Sequence, residues 1–427
     1  MLSIQDRIPT LLHMGNSCPC GKPHPVSLSS LVMEAGGLAK LPQVIQKLGN
    51  FSHVVMVCDN NTYTAAGQTV EKLCQLSQVV CLPTPAHGAL HADETAVEKV
   101  ESLMGTPDLL IAVGSGTIHD ITRYVATKHH LDFVSVPTAA SVDGFLSSIA
   151  AMTWQGVKRS FPAKPPVALV ADSLVLANAP ERLTASGVGD LLGKYVCLFD
   201  WKASHLITGE YICPQVVSLV EEAVSAVVEN AQAVARRDMA AVEAVMYGLV
   251  LSGLAMQMVG NSRPASGAEH HVSHLIEMEV LPPTQGNTAL HGEKVGVASV
   301  LVAQQYHQIL ATPQAQLSTT YQGLPLSRIQ AVFGEKTNEI LTCENTPDPL
   351  ADIPPAQLIQ NWDNLRDLAQ NTLPSAQHLA QLLTLMGAPS ALADIGLSPD
   401  LWDALWEMSP YVRRRLTMMR LAKLVNM

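Results

Sequence analysis

The chain has little charge and few aromatic rings. Charged residues make up 15% of its 427 positions and aromatic ones 4%, against 48% hydrophobic residues. So apolar a sequence must bury much of itself, and its length suffices for two separate cores. Positive charge is the scarcer sign: 26 Lys and Arg stand against 37 Asp and Glu, for a net charge of −11. That balance excludes the broad basic face that nucleic acid or an anionic membrane surface requires. It leaves room for a local cationic pocket and an anionic substrate. Uninterrupted apolar runs of membrane-spanning length are also missing. The nearest, 244–260, is broken by Gly and Gln and reads as a buried bundle helix, so no membrane insertion is expected. Residues 1–8 (MLSIQDRI) lack the basic segment and long apolar core of a signal peptide, so a cytoplasmic protein is expected. The eight cysteines, at 18, 20, 58, 74, 81, 197, 213 and 343, show no framework spacing, which predicts free thiols in a reducing compartment. The segment Cys18-Pro-Cys20-Gly-Lys-Pro-His24 offers two thiols and an imidazole. A small metal knuckle is one reading of it, but a closed structural zinc site needs four ligands, so a loop of unpaired thiols is the better one.

What is present is a change of pattern along the chain. Short β-branched runs at 52–58, 78–82, 109–113, 133–136 and 167–171 alternate with helical segments at 62–76, 92–104 and 118–128. This alternation predicts a parallel sheet with helices on both faces, and ligands bound beyond the carboxyl ends of the strands. From Pro180 onward the periodicity is helical, at 216–238, 239–259, 293–310, 376–386 and 401–425, with 312–355 less regular. The expected organisation is an α/β domain over 1–177, with a Rossmann-like nucleotide-binding sheet, followed by an all-α domain over 178–427.

Three segments carry chemistry. Gly114-Ser-Gly116 follows the strand at 109–113 directly, and such a turn lets a pyrophosphate face the start of the next helix. Asp59 ends an earlier strand, where its carboxylate either accepts bonds from an adenosine ribose or caps the following helix. Thr138, Ser141 and Asp143 lie in a third strand-end loop of small residues. Downstream, Asp190 is flanked by glycines at the opening of the first helix of the second domain. His270 and His274 share one helix face, with His271 turned away, and His291 starts a helix that a hairpin can bring back opposite His270. One carboxylate and two imidazoles are the set a divalent ion needs when it must keep a position open for substrate.

With these segments in hand, the chain resembles the sn-glycerol-1-phosphate dehydrogenases, particularly their bacterial branch. The likeness runs from about residue 54 to 302, on GSGTIHD (114–120), PTAASVDGF (137–145), GVGDLLGK (187–194), SRPASGAEHHVSH (262–274) and LHGEKVG (290–296). The resemblance implies the fold shared with dehydroquinate synthases, glycerol dehydrogenases and iron-containing alcohol dehydrogenases. It implies Asp190, His270 and His291 as metal ligands, with zinc or nickel as the ion and iron not excluded by the donor set. It implies NAD(H) or NADP(H) contacts at Gly116, Thr117, Ile118, His119, Asp120, Thr138, Ala139, Ala140, Ser141 and Ser147, with Asp59 on the ribose side. Asp143 and His274 match substrate-contacting, catalytic positions, and Asp190 also lies near substrate. The implied reaction is reversible reduction of dihydroxyacetone phosphate, a small phosphorylated three-carbon substrate, to sn-glycerol 1-phosphate for phospholipid synthesis, in a homodimer. A glycerol dehydrogenase acting on an unphosphorylated polyol is the alternative. The substrate phosphate needs a cation, and Arg263, just before the His270 helix, is the expected one. A salt bridge to Glu269 or Glu293 is its alternative use, and Lys158, Lys164 and Lys294 are further candidates.

Overall fold

The computed structural model describes residues 9–10, 18–84, 90–319 and 321–426. Its N-terminal layer is built from β1 (Ser30–Glu34), β2 (Val54–Asp59), β3 (Gln78–Leu82), β4 (Leu109–Gly114), β5 (Asp132–Pro137), β6 (Ile149–Trp154), β7 (Val157–Pro162) and β8 (Ala168–Asp172). Six of these form one sheet in the order β1-β8-β5-β4-β2-β3, with every pairing parallel. Strands β4 and β8 are buried along their whole length, as central strands covered on both faces must be. Alternate side chains serve opposite faces. Val55, Val57, Leu110 and Ala112 pack on one side against α2 (Glu94–Leu103) and α3 (Gly116–Lys128). Val54, Met56, Ile111 and Val113 pack on the other, with α1 (Leu41–Leu48). The strand order reverses between β2 and β4, so their carboxyl ends, Asp59 and Gly114, flank the crevice where such sheets bind ligands.

The rest is helical: α4 (Glu181–Leu192), α5 (Lys194–Thr208), α6 (Pro214–Val228), α7 (Met239–Val259), α8 (Ala268–Glu277), α9 (His291–Leu310) and α10 (Ala376–Leu385), with shorter pieces between and after them. Helix α7 is the one helix among the described residues long and apolar enough to cross a membrane, and 83% of its most apolar window is buried inside the protein. The α/β layer followed by helices is the expected fold class.

Several local expectations are corrected. Strand β1 has no clear signal in Ser-Leu-Val-Met-Glu, because it borders the sheet and only alternate residues are buried. The antiparallel hairpin β6–β7 turns at Gln155 and Gly156, both with positive φ (51° and 72°), a backbone that suits a tight two-residue hairpin turn. The helix expected over 216–238 breaks at Glu229-Asn230 and resumes at Ala231–Ala235. The helix expected over 401–425 is only Trp402–Met408 and Met418–Leu421 with 3-10 turns, since Pro410 interrupts it. Within 312–355, helices form at Leu326–Phe333 and Thr337–Glu344.

Candidate active site

The site lies between the carboxyl ends of the strands and the helical layer. A cleft of about 260 Å³ is walled by Ser115, Gly116, Thr117 and Asp120 at the start of α3, by Ser141, Asp143 and Ser147 after β5, and by His270, His274 and His291 from the helices. The hairpin adds Thr153 and Lys158.

Helix packing brings the acidic and imidazole groups together. Contrary to expectation, Asp190 sits in the last turn of α4 rather than at its opening, because the helix already begins at Glu181 after Pro180. Helices α4 and α9 touch backbone to backbone. A Cβ on Gly189 would run into the carbonyl oxygen of Gly292, and a Cβ on Gly292 into that of Ser186. This approach lays His291 beside Asp190. Ligand atoms of Asp190, His270 and His291 all lie within 4.8 Å of one another, and the His270 and His291 rings are 5.2 Å apart. The Gly292→Ala variant is expected to push the two helices apart, at about 1–3 kcal/mol or more of stability, and to weaken metal retention. Thermal unfolding and metal content after dialysis check this.

Each imidazole is held from behind by a carboxylate. The Nδ1 atoms of His270 and His291 pair with Glu269 Oε1 and Glu277 Oε1, both at 2.7 Å, which leaves each Nε2 for an ion. His271, on the same helix, is fully buried away from the cleft. Burial, then the Lys194 ammonium, holds His270 down at about 3, so it is neutral and able to ligate. Burial also lowers His291, but Glu277 outweighs it and raises the group. Burial pushes Asp190 up, yet Lys194 and the two imidazoles hold it down at about 2.

Lys194 is the residue that sequence reasoning missed. It is fully buried, and its Nζ reaches Asp190 Oδ1 at 2.8 Å, Asp143 Oδ2 at 2.8 Å and the Ala265 carbonyl at 2.9 Å. Asp190 Oδ2 accepts the Asp143 N–H at 3.0 Å, and Ser252 donates to Asp143 Oδ2 at 2.7 Å. A carboxylate has about four lone-pair positions, so these bonds leave Asp190 able to ligate. The signal for Lys194 was its i+4 spacing from Asp190. Glu269 and Glu277 lie beside and three residues beyond named histidines.

Other expected site residues separate into groups. Gly116, Thr117, Asp120, Ser141, Asp143, Ser147 and His274 face the cleft. Asp120 also pairs with the buried Arg123 at 2.6 Å. The side chains of Ile118 and His119 do not face it. Ile118 packs beneath Gly114, and His119, fully buried, bonds Ser135 Oγ at 2.7 Å and the Ser115 carbonyl at 2.9 Å. Thr138, Ala139 and Ala140 are buried beneath the loop, where the Thr138 N–H bonds the Gly114 carbonyl at 3.0 Å. Asp59 caps the helical turn Asn60–Thr62, with Oδ1 accepting the Thr62 N–H at 2.8 Å. Arg263 is the clear correction. It is buried behind the cleft, paired with Glu210 at 3.0 Å and bonded to the carbonyls of Asp200 and Leu416. Neither Glu269 nor Glu293 is its partner. Lys164 likewise turns to Asp132 at 2.7 Å, whereas Lys158 lines the cleft.

The residues fit both groups that the resemblance implies. A carboxylate and two neutral-capable imidazoles suit a divalent ion. At the nucleotide turn, a Cβ on Gly116 would meet Val142 at 2.9 Å, and the N-cap Ser115 makes no side-chain capping bond. The α3 N-terminus therefore presents its N–H groups to the cleft.

A parallel sheet followed by a helical layer, with a carboxylate–imidazole cluster at their junction, is the architecture of the dehydroquinate synthase-like fold, with donors suited to a divalent ion. The family model for iron-containing alcohol dehydrogenase matches residues 32–180. The crystal structure of a probable glycerol dehydrogenase from Sinorhizobium meliloti superposes with a TM-score of 0.61 at 17% identity, covering 93% of this chain and 95% of that one. Closer in sequence are glycerol-1-phosphate dehydrogenases [NAD(P)+]. That of Bacillus velezensis is 36% identical over 92% of this chain and 90% of its own length, and that of Halalkalibacterium halodurans 33% identical over 95% of each. The chain belongs to the glycerol-1-phosphate dehydrogenase family.

Proposed function

We infer that the protein reduces dihydroxyacetone phosphate to sn-glycerol 1-phosphate, reversibly, with NADH or NADPH. The observation that carries this reading is the convergence of the buried Asp190 with His270 and His291, which line the glycine-turn cleft, in a chain of this family. Asp190, His270 and His291 hold one divalent ion, zinc or nickel, and iron accepts the same donors. When bound, the ion supplies Lewis acidity and the reduced nicotinamide supplies a hydride. Glu269 and Glu277 fix the orientation of the two ligand imidazoles. Lys194 keeps Asp190 charged and holds both Asp190 and Asp143 in place by direct ion pairs. The first N–H groups of α3, with Ser141 and Ser147, would hold the dinucleotide pyrophosphate, and Asp59 its ribose. His274 lines the cleft with its Nδ1 unpartnered among the described residues; burial lowers it well below the usual imidazole range, so it stays neutral and holds a substrate hydroxyl. Residues 1–177 hold the nucleotide and 178–427 the ion, with two chains associating as a dimer in the cytoplasm.

In place of Arg263, Lys158 is assigned to the substrate phosphate. It lines the cleft 3.5 Å from Glu277. A charge-assisted hydrogen bond contributes about 1.5–3 kcal/mol, so Lys158→Met is expected to raise KM for dihydroxyacetone phosphate by roughly ten- to a hundredfold. KM for NADH is expected to stay within a factor of two or so. An unchanged substrate KM would remove Lys158 from this role.

The reading as a whole is tested by stripping metal with a chelator, adding back zinc, nickel or iron singly, and following NADH absorbance. Activity is expected to vanish on stripping, to return with one of the ions, and to favour dihydroxyacetone phosphate over dihydroxyacetone. Equal rates on both compounds would favour the polyol dehydrogenase instead.

A further inference from the structure

We propose that Cys18, Cys20, His24 and Cys213 form a second metal site, a closed three-thiolate, one-imidazole tetrahedron that takes zinc and fastens the N-terminal segment to the helical layer. The two thiols and imidazole of the CPCGKPH segment lack one ligand in sequence, and the fold supplies it from 189 positions beyond His24, a distance in sequence that no local motif spans. The donor atoms of all four residues lie within 4.8 Å of one another. Cys18 Sγ is 3.5 Å from Cys213 Sγ, and Cys20 Sγ is 3.1 Å from His24 Nε2. Zinc–sulfur bonds of about 2.3 Å and zinc–nitrogen bonds of about 2.0 Å give tetrahedral edges of roughly 3.5–3.8 Å, so the donors already stand near their required spacing. The sulfur pair is too far apart for a disulfide, whose bond is about 2.05 Å.

The surroundings are those of a metal site. His24 is 1% exposed, and its Nδ1 lies 2.6 Å from the carbonyl oxygen of Met258. A carbonyl only accepts, so Nδ1 carries the proton and Nε2 turns its lone pair into the cluster. Gly21, with φ of 78°, allows the tight turn in which its N–H bonds the Cys18 carbonyl at 3.0 Å and the Lys22 N–H approaches Cys20 Sγ at 3.4 Å. The Tyr211 hydroxyl lies 3.1 Å from the same sulfur, and Cys213, fully buried, immediately precedes α6. Thiolates select zinc over hard cations. None of its four residues lines the cleft. It braces the end of α7, where Met258 anchors His24 and Gln257 links the Ser27 N–H to the Leu146 carbonyl, behind the wall of the cleft.

Elemental analysis and cobalt spectroscopy on the full chain test this independently of the catalytic assignment. In Asp190→Asn/His291→Ala, one zinc per chain is expected to survive dialysis. Cobalt in its place is expected to give an intense sulfur-to-cobalt charge-transfer band, which the catalytic donors, having no sulfur, cannot produce. Cys20→Ser is expected to abolish the band. In the unmutated chain, titrating the thiols with a mercurial reagent is expected to release the same equivalent of zinc, so the test does not depend on that variant folding. No retained zinc together with no charge-transfer band would overturn the proposal. So would an intact mass short by two hydrogens with a linked Cys18–Cys213 peptide.

Discussion

Asp190→Asn is expected to lower turnover by about 10³-fold or more and to empty the catalytic ion site. The loss combines one negative ligand with the anchor for both Lys194 and the Asp143 backbone, whose bonds to the Asp190 carboxylate are 2.8 and 3.0 Å. Lewis-acid stabilisation contributes several kcal/mol to such a reaction, and every ~1.4 kcal/mol is tenfold in rate. His291→Ala is expected to behave similarly, since it removes a ligand already oriented by Glu277. Rates from NADH absorbance and metal content by elemental analysis provide the check. Wild-type turnover in Asp190→Asn, with metal bound, would refute the ligand assignment.

Lys194→Met is expected to cost about 3–5 kcal/mol of folding stability in metal-free protein, because it leaves buried carboxylates uncompensated. Lys194 and Asp190 are both fully buried, and Asp143 nearly so, which places the triad in the regime where such a loss is large. With an ion bound, part of the missing positive charge is restored, so the penalty is expected to shrink. Urea unfolding of wild type and variant, with and without zinc, measures both numbers. A penalty that is negligible, or identical in the two conditions, would contradict this account.

The sheet was legible where strands are buried on both faces. Strands β4 and β5 differ from the sequence reading only at their ends, and the half-exposed edge strand Gln78–Leu82 matches it residue for residue because Val79-Val80-Cys81-Leu82 is an unbroken apolar run. Helix α7 was equally plain. Strands β1 and β7 were not, because half-buried strands with Lys, Arg and Glu on them lack a long apolar run. In the site, residue types and order pointed to one carboxylate and two imidazoles, the family resemblance singled out Asp190, His270 and His291, and the fold gathers these three. Arg263 was misread because sequence proximity to the His270 helix says nothing about direction, and its guanidinium turns to Glu210 on the far side. Cys213 could not be joined to Cys18 and His24 from sequence, since only the docking of the N-terminal segment on Tyr211, Cys213 and the end of α7 sets their separation.

One hydrogen bond carries a thermodynamic consequence. The Asp143 N–H, in the loop that faces the nucleotide turn, lies directly on the carboxylate assigned to the ion. Any rearrangement of that loop on nucleotide binding alters the donor strength of Asp190. The two equilibria are then linked, and by reciprocity the ion must change the affinity for nucleotide by the same factor that nucleotide changes the affinity for ion.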